Sequence, residues 1–140
     1  GVQHISLEAQ RKIHEKEALF TAMHTLVQTH SITIYPEAHL WPYYTGIRPL
    51  PISSFKFPVK DNVPSFSMTT TYQKRKLSKR PKITIYIDGP FYPDNLPTRK
   101  EQAISLRDKV YNQMTLRSKN STYSYIKYEK RIDDNKDNNL

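Results

Sequence analysis

The sequence predicts an α/β layer architecture: a small mixed sheet with flanking helices. Three observations carry this. Apolar residues recur at helical spacing near both ends of the chain. Three short β-branched runs lie between those stretches. Pro-rich segments punctuate the runs. With 140 residues the chain has room for one domain, not for two independent cores.

The first helix is expected from about Leu7 to Thr29. Ile13, Phe20, Met23 and Val27 share one stripe, Leu19 and Leu26 widen it, and Ser6 is placed as its N-cap. The run Ser31–Tyr35 has strand length and composition, and Pro36 ends it. Residues 36–52 form an aromatic, Pro-rich loop. A short helical piece around Ser53–Lys60 is expected to be interrupted by Pro58. Val63–Tyr72 reads as the second strand and Ile83–Ile87 as the third, with a turn at Asp88, Gly89 and Pro90. Thr98 and Glu101 form a capping-box pattern ahead of an apolar stripe of Ala103, Leu106, Val110 and Met114. The pattern decays after Ser118, so residues 1–117 are read as the domain and 118–140 as a polar, partly disordered tail.

The apolar content is thin. It reaches 36% only with ten tyrosines included, whereas a typical domain carries about 45–50% without them. A larger parent sheet explains that deficit. No apolar run is long enough to span a membrane, and no leader pattern opens the chain. Residue 1 is Gly and not Met, which reads as a trimmed fragment or a processed product. The absence of cysteine excludes disulfides, Cys-based metal sites and thiol nucleophiles.

The net charge is +9, and residues 73–82, QKRKLSKRPK, concentrate it. Lys74, Arg75, Lys76, Lys79, Arg80 and Lys82 have no acid among them. Such a loop attracts anionic lipid, nucleic acid or an acidic protein, or is simply a solvated hairpin loop. The five histidines form no metal-ligand pattern, and three glycines supply neither a phosphate loop nor a nucleophile elbow. The loop after the first run is more informative. Glu37 follows the end of that run, where ligands bind in open α/β sheets. Trp41, Tyr43, Tyr44 and Arg48 lie close in sequence, and Arg can offer a fork to phosphate oxygens. The bland reading is an aromatic loop packed over a sheet edge, with Glu37 holding a backbone turn.

Ile34-Tyr35-Pro36-Glu37-Ala38 resembles the Phe-Pro-Glu-Gly block of the 1-acylglycerol-3-phosphate acyltransferase family. The likeness extends through Leu50, then to Phe55-Lys56-Phe57 with Asn62-Val63-Pro64, to Thr84–Asn95, and to the helix from Thr98 to Met114. It covers roughly residues 10–115. The resemblance implies part of a larger glycerolipid acyltransferase αβ fold. It implies transfer of an acyl group from acyl-CoA or acyl carrier protein to lysophosphatidate, at the cytoplasmic side of a membrane. By match, Tyr35, Pro36, Glu37 and Ala38 would shape the acceptor phosphate site. Arg48 would stand in for the family's phosphate-binding Arg, because His39 and Leu40 occupy the place of the usual Thr-Arg. The basic loop would face the anionic membrane surface. No cofactor or metal is implied beyond the acyl donor as co-substrate, and no nucleic acid among the partners.

The family's catalytic His-x-x-x-x-Asp motif is not in this chain. The residues five past His4, His14, His24, His30 and His39 are Ala9, Leu19, Thr29, Tyr35 and Tyr44. The resemblance places that motif upstream of Gly1, so no catalytic residue is assigned here and the piece alone is expected to be inactive. Two other readings remain. One is an inactive relative, to which the Gly-to-Ala change at Ala38 and the polar strand after Val63 would belong. The other is a non-enzymatic basic module for nucleic acid or an anionic surface.

Overall fold

The computed structural model describes residues 7–37 and 41–130. In chain order these form α1 (Leu7–Val27), a 3-10 turn (Ile52–Phe55), α2 (Lys56–Asp61), β1 (Ser65–Gln73), β2 (Lys82–Phe91) and α3 (Arg99–Ser118). The class is mixed α/β, with three α-helices and a two-stranded antiparallel sheet.

α3 organises the core. Its capping box is complete: the Glu101 N–H donates to Thr98 Oγ1 at 3.2 Å, and the Thr98 N–H donates to Glu101 Oε2 at 3.1 Å. One stripe of the helix, Ala103, Leu106, Val110 and Met114, is buried together with Leu50 and Phe55. Burial of a side chain such as Leu106 contributes about 1.5–3 kcal/mol. α2 follows directly on the 3-10 turn and ends at Asn62, which adopts the left-handed conformation. Pro58 does not interrupt it as expected. It is the third residue of the helix, within the first turn, where a missing N–H leaves no helical bond unmade.

The sheet differs from the expectation in two ways. First, Ser31–Tyr35 joins no ladder, so among the described residues the sheet has two antiparallel strands instead of three in a mixed arrangement. β-branched residues suit a pleated surface, but a strand forms only where a partner edge supplies hydrogen bonds. Second, β2 does not turn at Asp88 but continues to Phe91. The register passes from Ser67↔Asp88 to Ser65↔Phe91, so Phe66 stands opposite both Gly89 and Pro90. Gly89 has φ +134°, and a Cβ there would lie 2.8 Å from Phe66 Cδ1 and 2.9 Å from the Ser65 carbonyl.

The amphipathicity of the sheet is inverted relative to its one helix. Ser67, Thr69 and Thr71 are buried on the α3 side. Phe66, Met68, Ile83, Ile85 and Ile87 are all exposed, and the Met68↔Ile87 pairing places those two on one face. On the α3 side, Arg117 forks onto Asp88, with Nε–Oδ2 at 3.0 Å and Nη2–Oδ1 at 2.8 Å, and lies over the Tyr86 ring.

α1 packs through Phe20, whose ring meets Phe57 at 4.5 Å and carries Lys60 above it. Phe20, Met23 and Val27 are half-buried, but Leu19 and Leu26 do not widen the stripe; both are exposed. The Ser6 cap, the Ile13 side chain and Ala38 lie outside the described residues, as do residues 131–140. The segment after α3 is packed against the domain up to residue 128. The Ser121 hydroxyl accepts from the Tyr72 N–H, and the Thr122 and Tyr123 N–H groups donate to the Tyr72 carbonyl. Tyr128 stacks on Trp41 at 5.2 Å and its hydroxyl donates to the Pro42 carbonyl.

Candidate functional site

Glu37 and Arg48 are eleven residues apart and are brought together. The Arg48 N–H donates to Glu37 Oε2 at 3.1 Å, and Arg48 Nη1 donates to the Glu37 carbonyl at 3.5 Å. The guanidinium lies over the Trp41 ring, 4.5 Å from its centroid. Glu37 therefore closes the 37–48 loop through a backbone bond, and Trp41 holds the Arg plane. Of the five guanidinium N–H donors, one is engaged by Glu37 among the described residues, and a guanidinium fork suits an oxyanion. Pro36 is half-buried beside them, whereas Tyr35 is exposed.

An aromatic cluster seats this loop. Trp41 and Tyr44 meet edge to face at 4.9 Å, and both contact Tyr128. Tyr43, at φ 57°, touches Tyr72 and Tyr125. Burial pushes the Tyr72 phenol above its ordinary value of 10.0, and neighbouring Tyr43 and Tyr128 push the same way. The residues of the tail that complete this cluster, Tyr123, Tyr125 and Tyr128, escaped the sequence reading. Their signal was three tyrosines in six residues within otherwise polar sequence, and no periodicity accompanied it.

A cleft of about 1230 Å³ opens beside Glu37 and Trp41. Its lining takes consecutive residues of β1 from Ser65 to Thr70, hence both faces of the strand, along with residues 30–37. The cleft is therefore lined jointly by β1 and by the 30–37 segment. Its walls are largely apolar, from Val27, Ile32, Ile34, Phe55, Phe57, Phe66 and Met68.

The six cations of the sequence motif fall on the β1–β2 connection and its exit. Lys74, Arg75, Lys76, Lys79 and Arg80 are exposed on the loop, and Lys82 is the exposed first residue of β2. Among the described residues none of the six forms an ion pair. One pairing was invisible to spacing rules: His24 Nδ1 lies 2.9 Å from Asp61 Oδ1, across 37 residues. It pins α1 to α2, with Asp61 largely buried and the imidazole largely exposed. No group of three or more potential metal ligands occurs among the described residues, and no helix there is long and apolar enough to cross a membrane. No protein-family model, curated protein or solved structure matches the chain.

Proposed function

We propose that this chain is the C-terminal portion of a glycerolipid acyltransferase domain that transfers an acyl group from acyl-CoA or acyl carrier protein to lysophosphatidate. The observation that carries the reading is the Glu37–Arg48–Trp41 cluster. A guanidinium is clamped by a carbonyl and an aromatic face at the end of the segment whose sequence resembles the family's Pro-Glu block. Such a group meets a phosphate with little loss of side-chain entropy. In this reading Arg48 binds the acceptor phosphate. Glu37 is a positioning residue that holds the Arg48 backbone, and Pro36 sets the turn. The general base on the acceptor hydroxyl is supplied by the His-x-x-x-x-Asp motif of the parent protein.

Two surfaces support a larger parent fold: the edge of β1 that no strand pairs among the described residues, and the apolar face of Phe66, Met68, Ile83, Ile85 and Ile87. In the parent, further strands would extend the sheet at that edge and a further helical layer would cover that face. Site and loop would then act at the cytoplasmic face of a membrane.

The test uses the parent enzyme. Arg48→Ala is expected to raise the KM for lysophosphatidate about 10–100-fold, the loss of a charge-assisted contact, with the acyl-donor KM unchanged. Glu37→Ala should act in the same direction, and Glu37→Gln, which keeps an oxygen for the Arg48 N–H, should restore most of the loss. Wild-type kinetics for Arg48→Ala would remove it from the site. Normal turnover by the 140 residues alone would refute the placement of the catalytic pair outside them.

A further inference from the structure

We infer that the β1–β2 loop, residues 74–81, is a docking element for an anionic lipid surface, with Leu77 as its apolar anchor. A single exposed Leu is ordinary on a protein surface. Leu77 is not ordinary in its setting: it is 101% exposed in the middle of a loop whose cations flank it on both sides and form no ion pair among the described residues. That combination, an apolar side chain set among cations, matches the boundary between acyl chains and anionic headgroups.

The loop is held in place from below. The Tyr123 hydroxyl donates to the Lys79 carbonyl at 3.0 Å, the Arg80 N–H donates to Ser78 Oγ, and Gln73 Nε2 donates to the Asn120 carbonyl at the loop's base. Pro81 is buried. Docking would therefore order few additional groups. The loop also leaves β1 beside Tyr72, whose ring meets Tyr43 in the loop that carries Trp41 and Arg48. A lipid surface on the basic loop would thus lie at the end of the sheet that carries the candidate site. Nucleic acid fits less well. Residues 74–81 contain no aromatic side chain on which a base could stack, and Leu77 offers nothing to a phosphate backbone. The inference does not depend on acyl transfer, because lipid docking needs only the loop.

Co-sedimentation of the 140-residue chain with phosphatidylcholine vesicles, with and without phosphatidylglycerol, tests it. Binding is expected to require phosphatidylglycerol and to weaken with salt. Leu77→Ser should lower the partition coefficient about tenfold or more while keeping the salt dependence. Glutamine at Lys74, Arg75, Lys76 and Lys79 together should lower it about a hundredfold or more, from about fivefold per cation, and remove most of the salt dependence. All these positions are exposed, so circular dichroism should match the wild type. Wild-type partitioning by Leu77→Ser, or by the fourfold variant, would overturn the inference. So would equal binding to neutral vesicles, which would point to the apolar sheet face, or tighter binding to single-stranded or duplex oligonucleotides than to the anionic vesicles.

Discussion

Thr69 and Thr71 occupy equivalent positions two residues apart on the face of β1 beneath α3, yet the same substitution should move stability in opposite directions. Both are essentially sealed, at 1% and 0% exposure. The Thr69 hydroxyl has no hydrogen-bond partner among the described residues. The Thr71 hydroxyl donates to the Thr84 carbonyl at 3.1 Å and accepts from Gln73 Nε2 at 2.8 Å. A buried hydroxyl without a partner costs about 1–3 kcal/mol, whereas a satisfied bond contributes about 0.5–1.5 kcal/mol net. Val keeps the branched shape and the strand preference of Thr. Thr69→Val should therefore stabilise the domain by about 1 kcal/mol or more, and Thr71→Val should cost about 1–2 kcal/mol. Urea unfolding followed by far-UV circular dichroism reads the difference. Each kcal/mol moves the midpoint by roughly 0.3–1 M at the slopes usual for small domains. A Thr69→Val midpoint at or below that of the wild type would refute the reasoning. It would mean that the hydroxyl finds a partner, or that the interface with α3 does not tolerate a second methyl group.

Two further outcomes follow from local geometry. Thr98→Ala removes the acceptor of the capping box and should cost about 1 kcal/mol, visible as a lower melting temperature; an unchanged melting temperature would show that α3 is held by its apolar stripe alone. The Arg117 fork holds the Asp88 carboxyl below its ordinary value of 3.8, so the folded state binds that proton less readily than the unfolded chain. Its contribution is present above 3.8 and is lost as the pH falls below it. Asp88→Asn should flatten that acid limb of the stability profile, and an acid limb identical to that of the wild type would assign the effect to other carboxylates.

The candidate site was legible as residue types but not as an arrangement. Glu37 and Arg48 stood out because an acid past an extended run and an Arg near aromatics are chemically suggestive. That they meet, and that the meeting runs through the Arg48 backbone N–H and the Trp41 face, depends on how the 37–48 loop closes. Ser31–Tyr35 shows the converse. Its composition suits a strand, but it joins no ladder among the described residues and instead lines a cleft together with β1. Likewise the polar segment after Ser118 carried no packing signal, because its tyrosines acquire partners from distant segments: the loop at Trp41–Tyr44, Tyr72 and the Lys79 carbonyl.

By itself the sequence determined what short-range physics controls. That includes the position and cap of α3, its buried stripe, the strand character of the runs at 63–72 and 83–87, the cationic loop and the absence of thiol chemistry. Each depends on residues within a few positions of one another. Only the tertiary structure decided which extended run joined the sheet. It turned the threonines of β1 toward α3 and left the isoleucines of β2 exposed. It also tied Glu37 to Arg48 and His24 to Asp61. Those outcomes depend on pairings between distant segments, and alternation along a strand does not say which of its faces will be covered.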